Sequence, residues 1–262
     1  MQAFAQDTYG RTESPKAGEG IASPKRLARI AGVFYLFVAI FGGFAEGFVD
    51  QKLFVAGDAA ATAGNVVANA GLVRIGVVAH LVNGVFLVLT AMALYLLLNH
   101  VQKNAARWMV VLVVLAAGIT GLNAVFQFEG LRVATDSSYA AAFGIAGSNA
   151  LVLLLLDIQH YGTFAAQVFF GLWLAPLGYL AYKSGVFPRA LGVVLVAATV
   201  SYLVDVLVAF LAPDLAKQAH PLLVIVPIIA EVWLLGYLLM KGVRSPRAAD
   251  LRSAADLAPV AI

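Results

Sequence analysis

IGVVAHLVNGVFLVLTAMALYLLL, residues 75–98, contains no Asp, Glu, Lys or Arg. A run of about 20 apolar residues is long enough to cross the hydrocarbon core of a bilayer as a helix. Similar runs recur on either side of it. They place spans at 27–49, 72–98, 105–132, 158–182, 189–211 and 220–240, separated by charge and turn signals such as Asn99-His100 with Lys103, Ser184-Gly185 with Pro188, and Pro213-Asp214. The fold class expected is therefore all-α: a polytopic transmembrane bundle of six spans, with one or two interfacial or re-entrant helices on its outer side.

Composition agrees. Of 262 residues, 62% are hydrophobic and only 12% charged, about half the charged share of an ordinary soluble domain. So little charge cannot clothe a water-soluble globule, so the lipid bilayer is the expected partner. A net charge of +3 with the bases scattered through loops and tails is no nucleic-acid signature. No Cys is present, which removes disulfide and thiol chemistry. Nothing in the sequence sets an oligomeric state.

The bases give the orientation. With the N-terminus inside, 13 of the 17 Lys and Arg fall on the cytoplasmic side, and only Lys52, Arg74, Arg132 and Lys217 fall outside. This is the bias of the positive-inside rule, and it predicts a cell-membrane protein with both ends cytoplasmic. Residues 1–26 and 242–262 read as disordered cytoplasmic tails around a membrane domain at 27–241. The first tail is polar and lacks the apolar stretch of a signal peptide.

Two stretches stand apart from the spans. Residues 58–71 begin with a helix-capping Asp58 and end at Gly71, which predicts a short helix at the outer surface. Residues 138–157 are apolar, but a seventh span there would move Lys183, Arg189, Lys241 and the basic C-terminal tail outside. They read as an interfacial or re-entrant helix leading into the fourth span. Within spans, Ala39, Gly43 and Gly47, and also Ala117 and Gly121, repeat at four-residue spacing, a pattern that lets helices approach closely in lipid. Pro176 and Pro227 interrupt their helices, and Pro227 lies one turn before Glu231, so a carbonyl it frees is expected to face the same cavity as that carboxylate.

Polar side chains inside spans carry the functional reading, because each ionisable one costs about 2.5–3.5 kcal/mol to insert at mid-helix. At about 1.5 Å per residue, Asp205 lies about 24 Å from Arg189, and His80 about 12 Å from the outer end of the second span. Glu46, Asn123, Gln127 and His160 also fall in the outer half, with Gln167 and Glu231 nearer the middle. Spacings of three, four or seven put His80 with Asn83, Asn123 with Gln127, Tyr202 with Asp205, and Asp157 with His160 and Gln167 on single helix faces. These residues predict a polar pocket opening outward that takes a small polar solute or a cation.

Two other readings compete. His80, His160, Asp205 and Glu231 have the chemistry to hold a hydrolytic metal, although no fixed-spacing metal motif is present. Alternatively the polar groups only join helices in an accessory or structural protein, as Glu129 and Arg132 would do on the surface. No Walker motif, G-x-S-x-G or mid-span Lys occurs, and no cofactor is implied.

The runs RIAGVFYLFVAIFGGFAEGFV (29–49), GDAAATAGNVVANAGLVRIG (57–76) and FFGLWLAPLGYLAYKSGVFPRALGVVL (169–195), with YLVD (202–205), resemble the bacterial DUF4386 membrane-protein family over residues 27–242. The resemblance implies a multi-pass membrane protein and supplies no catalytic or binding residues.

Overall fold

The computed structural model describes residues 23–243. The disorder expected for the tails falls outside that range, except that Pro24, Lys25 and Arg26 already belong to the first helix. Every regular element among the described residues is helical. In lipid this is the expected outcome, since a helix satisfies all its backbone hydrogen bonds within itself.

Helix α1 (Pro24–Phe44) runs on through a π-helical turn, Ala45–Asp50, and a short α2 (Gln51–Leu53). α3 (Ala59–Ala68) precedes α4 (Ala70–Leu98), α5 (Lys103–Thr135) and α6 (Ser137–Leu172). α7 (Leu174–Ser184), α8 (Arg189–Leu211), α9 (Pro213–Leu223) and α10 (Ile225–Met240) complete the chain. Six stretches are long and apolar enough to cross a membrane: Pro24–Leu53, Ala70–Leu98, Lys103–Thr135, Ser137–Ser184, Arg189–Leu211 and Pro213–Met240. The protein is an all-α polytopic bundle. α1 neighbours α4 and α10, α5 lies between α4 and α6, and α8 touches α6, α7, α9 and α10.

Local chemistry sets the boundaries. Ser23 caps α1 by accepting from Arg26 N, with Pro24 in the first turn. Asp58 caps α3 and Asp136 caps α6, each carboxylate accepting a backbone N–H at 2.9 Å. α7 ends at Gly185, whose φ of 69° suits glycine.

An even number of spans brings the two described ends together: Gly242 lies against the backbone of Lys25. We call this the terminal end and the opposite one the distal end. Lys25, Arg26, Arg29, Lys103, Arg107, Lys183, Arg189 and Lys241 lie towards the terminal end, and Lys52, Arg74, Arg132 and Lys217 towards the distal end.

Two apolar cores occupy the two ends. The terminal one gathers Ala28, Ala31, Trp173, Leu174, Leu177, Leu191, Leu195, Leu234 and Leu238, among others. There α7 and α8 meet closely: a Cβ built on Gly178 falls 2.6 Å from the Gly192 carbonyl, and one on Gly192 falls 2.7 Å from that of Gly178. The smaller distal core joins Val49 and Leu53 with Ala63, Val66 and Val73, and with Leu131, Val133, Val152 and Leu156.

Three expectations change. Residues 138–157 are not one helix set apart from the fourth span: a short first piece, residues 137–143, ends at Gly144, whose backbone (φ 72°, ψ 164°) is not helical, and from Ile145 the helix of α6 runs on to Leu172. The physical reason is that Val152 and Leu156 pack into the distal core beside Leu131 and Val133, so nothing ends the helix at the boundary expected near residue 158. The stripe Ala39, Gly43 and Gly47 is not a helix contact: a Cβ on Gly43 or Gly47 meets nothing within 4 Å. The close approaches of α1 instead use Gly32, against Leu238, and Gly42, against Asn83. Gly84 does meet Ala117, at 3.6 Å. Finally, the sixth membrane segment has two parts. α9, with no buried residue, precedes α10, which at 16 residues is only about 24 Å long.

Both prolines act as expected on the backbone. α6 gives way to α7 at Trp173, three residues before Pro176, and α9 to α10 at Val224, three before Pro227. The carbonyl that Pro227 cannot bond is that of Leu223, and the Ser201 hydroxyl of α8 donates to it.

Candidate functional site

Between the two cores lies a polar layer in two connected groups. The first is centred on Asp50, the last residue of the π-helical turn. Its Oδ1 accepts from Gln127 Nε2 at 2.7 Å and its Oδ2 from Gln159 Nε2 at 2.8 Å. His80 Nε2 lies 3.3 and 3.2 Å from the same two oxygens. One carboxylate thus ties α1 to α4, α5 and α6. The helix directions explain why these residues share a level. α1 and α5 run towards the distal end while α4 and α6 run away from it, so moving one turn inward leads from Asp50 to Glu46, His80 to Asn83, Gln127 to Asn123, and Gln159 to Gly162.

That inner level is also occupied. Asn83 stands against Gly42, 3.4 Å from where its Cβ would be, and a Cβ on Gly162 would fall 2.2 Å from Asn123 Oδ1. Only glycine fits at 162 while the Asn123 carboxamide keeps its place. His80, Asn83, Asn123, Gln127 and Gln159 are all buried. Glu46 is exposed, close enough to interact electrostatically with Asp50 and His80 on one side and with Glu231 on the other.

The second group is centred on Asp205, a buried carboxylate. Gln167 Nε2 donates to its Oδ2 at 2.9 Å, and His220 Nδ1 lies 2.9 and 3.0 Å from its two oxygens. One helical turn away on α8, the Tyr202 hydroxyl donates to Glu231 Oε1 at 2.7 Å. The buried Tyr35 hydroxyl is near the same carboxylate but makes no hydrogen bond of ordinary geometry. Tyr202, Phe170, Trp173 and Tyr35 meet in turn edge-on or tilted, with ring centroids 5.7, 6.2 and 6.1 Å apart.

The candidate residues thus divide. Glu46, His80, Asn83, Asn123 and Gln127 belong to the Asp50 group, and Gln167, Tyr202, Asp205 and Glu231 to the other. His160 joins neither by a hydrogen bond. It stacks on Phe54 with centroids 5.0 Å apart and is edged by Tyr161 and Phe164. The four side chains considered for a metal, His80, His160, Asp205 and Glu231, therefore stand apart, each with its own neighbour. Among the described residues no three His, Asp or Glu side chains come together as a metal site. Glu129 and Arg132 do pair on the surface, at 3.0 Å.

Sequence reasoning passed over Asp50, Gln159 and His220. Asp50 lies one residue beyond the expected first span but four after Glu46, a spacing that puts the two on one helix face. Gln159 precedes His160 and shares a face with the buried Val152 and Leu156. His220 is the first residue of the expected sixth span, 220–240, where hydropathy alone marks only a boundary. In fact it is the residue through which α9 reaches a buried carboxylate.

No solved structure shows significant similarity to the chain. An uncharacterised protein of Archaeoglobus fulgidus is 30% identical over 132 residues, which is 48% of this chain and 65% of that relative. The chain thus spans just under two thirds of the relative's length. The family model described as domain of unknown function DUF4386 matches residues 30–242. That match runs from the first turns of α1 to the end of α10 and takes in both polar groups, so the chain belongs to the DUF4386 family.

Proposed function

We propose that this protein sits in the cell membrane with its terminal end in the cytoplasm and binds a small cation, or a polar solute bearing positive charge, from the outer side. The observation that carries this reading is a charge imbalance. Glu46, Asp50 and Asp205 lie in the distal half of the bundle and Glu231 near its middle. Among the described residues none of them pairs with a Lys or Arg, and the ion-pair partners are His80 and His220 alone. Carboxylates placed among apolar helices without fixed positive charge attract a cation or a proton strongly, since the surroundings screen little. The distribution of bases supports the orientation. Glu46 and His220 both reach the surface of the bundle.

The experiment is a thermal unfolding series on the purified full chain in nanodiscs, across chloride salts of sodium, potassium, ammonium, tetramethylammonium and magnesium at constant ionic strength. At least one cation should raise the midpoint by several degrees, by preferential binding to the folded state. The rise should shrink in Glu46→Gln and Asp205→Asn. A midpoint indifferent to every cation would refute the reading.

A structural reading keeps one observation of its own. Asp50 meets three donors and Asp205 two, enough for each carboxylate to serve as a joint between helices. That reading predicts large stability losses in the variants and no cation response in the parent protein. The hydrolase reading has no such support, because its four side chains lie in separate neighbourhoods.

A further inference from the structure

The seam between α1 and α10 narrows the ligand class, on the footing of the cation-binding reading above. In the terminal half the two helices touch closely: a Cβ on Gly32 would lie 3.0 Å from Leu238 Cβ and 3.1 Å from the backbone there. Ala39, Gly43 and Glu46 follow Gly32 by seven, eleven and fourteen residues, spacings that return to one face of a helix. That face is bare in the distal half. All three residues are exposed, and a Cβ on Gly43 meets nothing within 4 Å. On α10, Glu231 lies seven residues before Leu238 and so shares its face. The helices therefore part beyond Tyr35 and leave a crevice between them. Ile40 on one side of it and Ile228 and Ile229 on the other are each more than half exposed, so both edges present hydrocarbon to the bilayer. Glu46 stands on the α1 wall, within electrostatic reach of Glu231 on the α10 wall. Among the described residues neither carboxylate forms an ion pair. At the inner end the Tyr35 hydroxyl is buried beside Glu231 without a partner, in a residue only 3% exposed.

We propose that the crevice between α1 and α10 takes an amphiphilic cation, a protonated amine carrying a hydrocarbon tail, directly from the bilayer. Charge and shape agree on this occupant. Glu46 is the exposed carboxylate and receives the ammonium head, while Glu231 behind it adds to the negative field in surroundings that screen little. The tail lies along Ala39 and Gly43, where the missing side chains leave room for a chain, and its edges meet Ile40 and Ile228. A hydrated inorganic ion has no path through hydrocarbon to this opening. An alkylamine does, because burial of its methylenes already holds it in the membrane. A neutral lipid tail would fill the groove but leave both carboxylates without countercharge.

Thermal unfolding of the full chain in nanodiscs of zwitterionic lipid separates head from tail. Dodecylammonium is compared with dodecanol and dodecanoate at equal loading in the bilayer, and with methylammonium in the buffer. Dodecylammonium should raise the midpoint by several degrees, methylammonium by less, and the neutral and anionic chains not at all. Glu46→Gln should remove most of the dodecylammonium rise. Gly43→Leu, which fills the crevice from α1, should do the same while leaving the methylammonium response in place. Both positions are exposed, so neither substitution disturbs packing. Should either variant still fail to fold, a second readout uses the absence of cysteine from the chain. A spin label on Gly43→Cys should lose mobility when dodecylammonium is added and keep it with dodecanol. A midpoint or label that responds equally to dodecanol makes the crevice a site for tails alone and overturns the inference. A dodecylammonium rise that survives Gly43→Leu, or that does not exceed the methylammonium rise, also overturns it and leaves the broader cation reading standing. No response to any cation overturns both.

Discussion

The groups around Asp50 and Asp205 are built from the same parts: a carboxylate, an imidazole and glutamine amide. They differ in what they join. Asp50 draws on α4, α5 and α6, its imidazole is only 3% exposed, and the distal apolar core lies over it. Asp205 is met by Gln167 of α6 and by His220. That histidine is 49% exposed and belongs to α9, which has no buried residue. The same chemistry serves in one place as a joint among four helices and in the other as a clasp on a surface helix. Burial, more than partner identity, decides which groups the fold depends on.

The comparison breaks most readily at Asp50. Asp50→Leu strips three donors of their acceptor and should lower stability by about 3–5 kcal/mol, the usual loss when one member of a buried ionic group is removed. Thermal or denaturant unfolding in detergent would measure it, and a loss under 1 kcal/mol would make Asp50 no more structural than Asp205. Next comes Gly162→Ala, whose added methyl must displace the Asn123 carboxamide. We expect a cost of about 1–3 kcal/mol by the same measurement, with Asn123→Ala in the same chain restoring much of it. His220→Ala should cost only about 1 kcal/mol. Its mark should be local, as faster hydrogen exchange in α9 with α4 and α5 unchanged. Should α4 and α5 loosen too, the two groups are one unit. Arg132→Ala, which breaks the surface pair with Glu129, should change stability by no more than about 0.5 kcal/mol and serves as the baseline.

The spans were legible because a bilayer imposes a length that composition alone reveals. The level of the polar groups was legible too, since rise per residue converts position into depth. What could not be read was the identity of neighbours. Periodicity says which residues share a face of one helix but not what that face meets. Ala39, Gly43 and Gly47 repeat as a packing stripe should, yet the α1 contacts fall on Gly32 and Gly42, set by how α10 and α4 cross it. His80, His160, Asp205 and Glu231 share a depth range, yet rotation about the helix axes gives them separate partners. Residues 138–157 misled for a related reason. Their apolar surface answers to the end of α5 and to α3, contacts that a hydropathy profile does not resolve. His220 and Asp50 sat at span boundaries, where a division into membrane and loop discards the residues that bridge the two.

The π-helical turn at Ala45–Asp50 makes chain length a variable of its own. A π turn holds more residues per revolution than the α-helix around it, so the azimuth at which Asp50 leaves α1 depends on how many residues precede it. Lengthening or shortening 45–50 by a single position would swing residue 50 around the helix axis while leaving the hydropathy of the segment unchanged. Two homologous chains with the same carboxylate would then aim it at different neighbours, and an alignment gap at this turn would signal a change in wiring that no comparison of residue types detects.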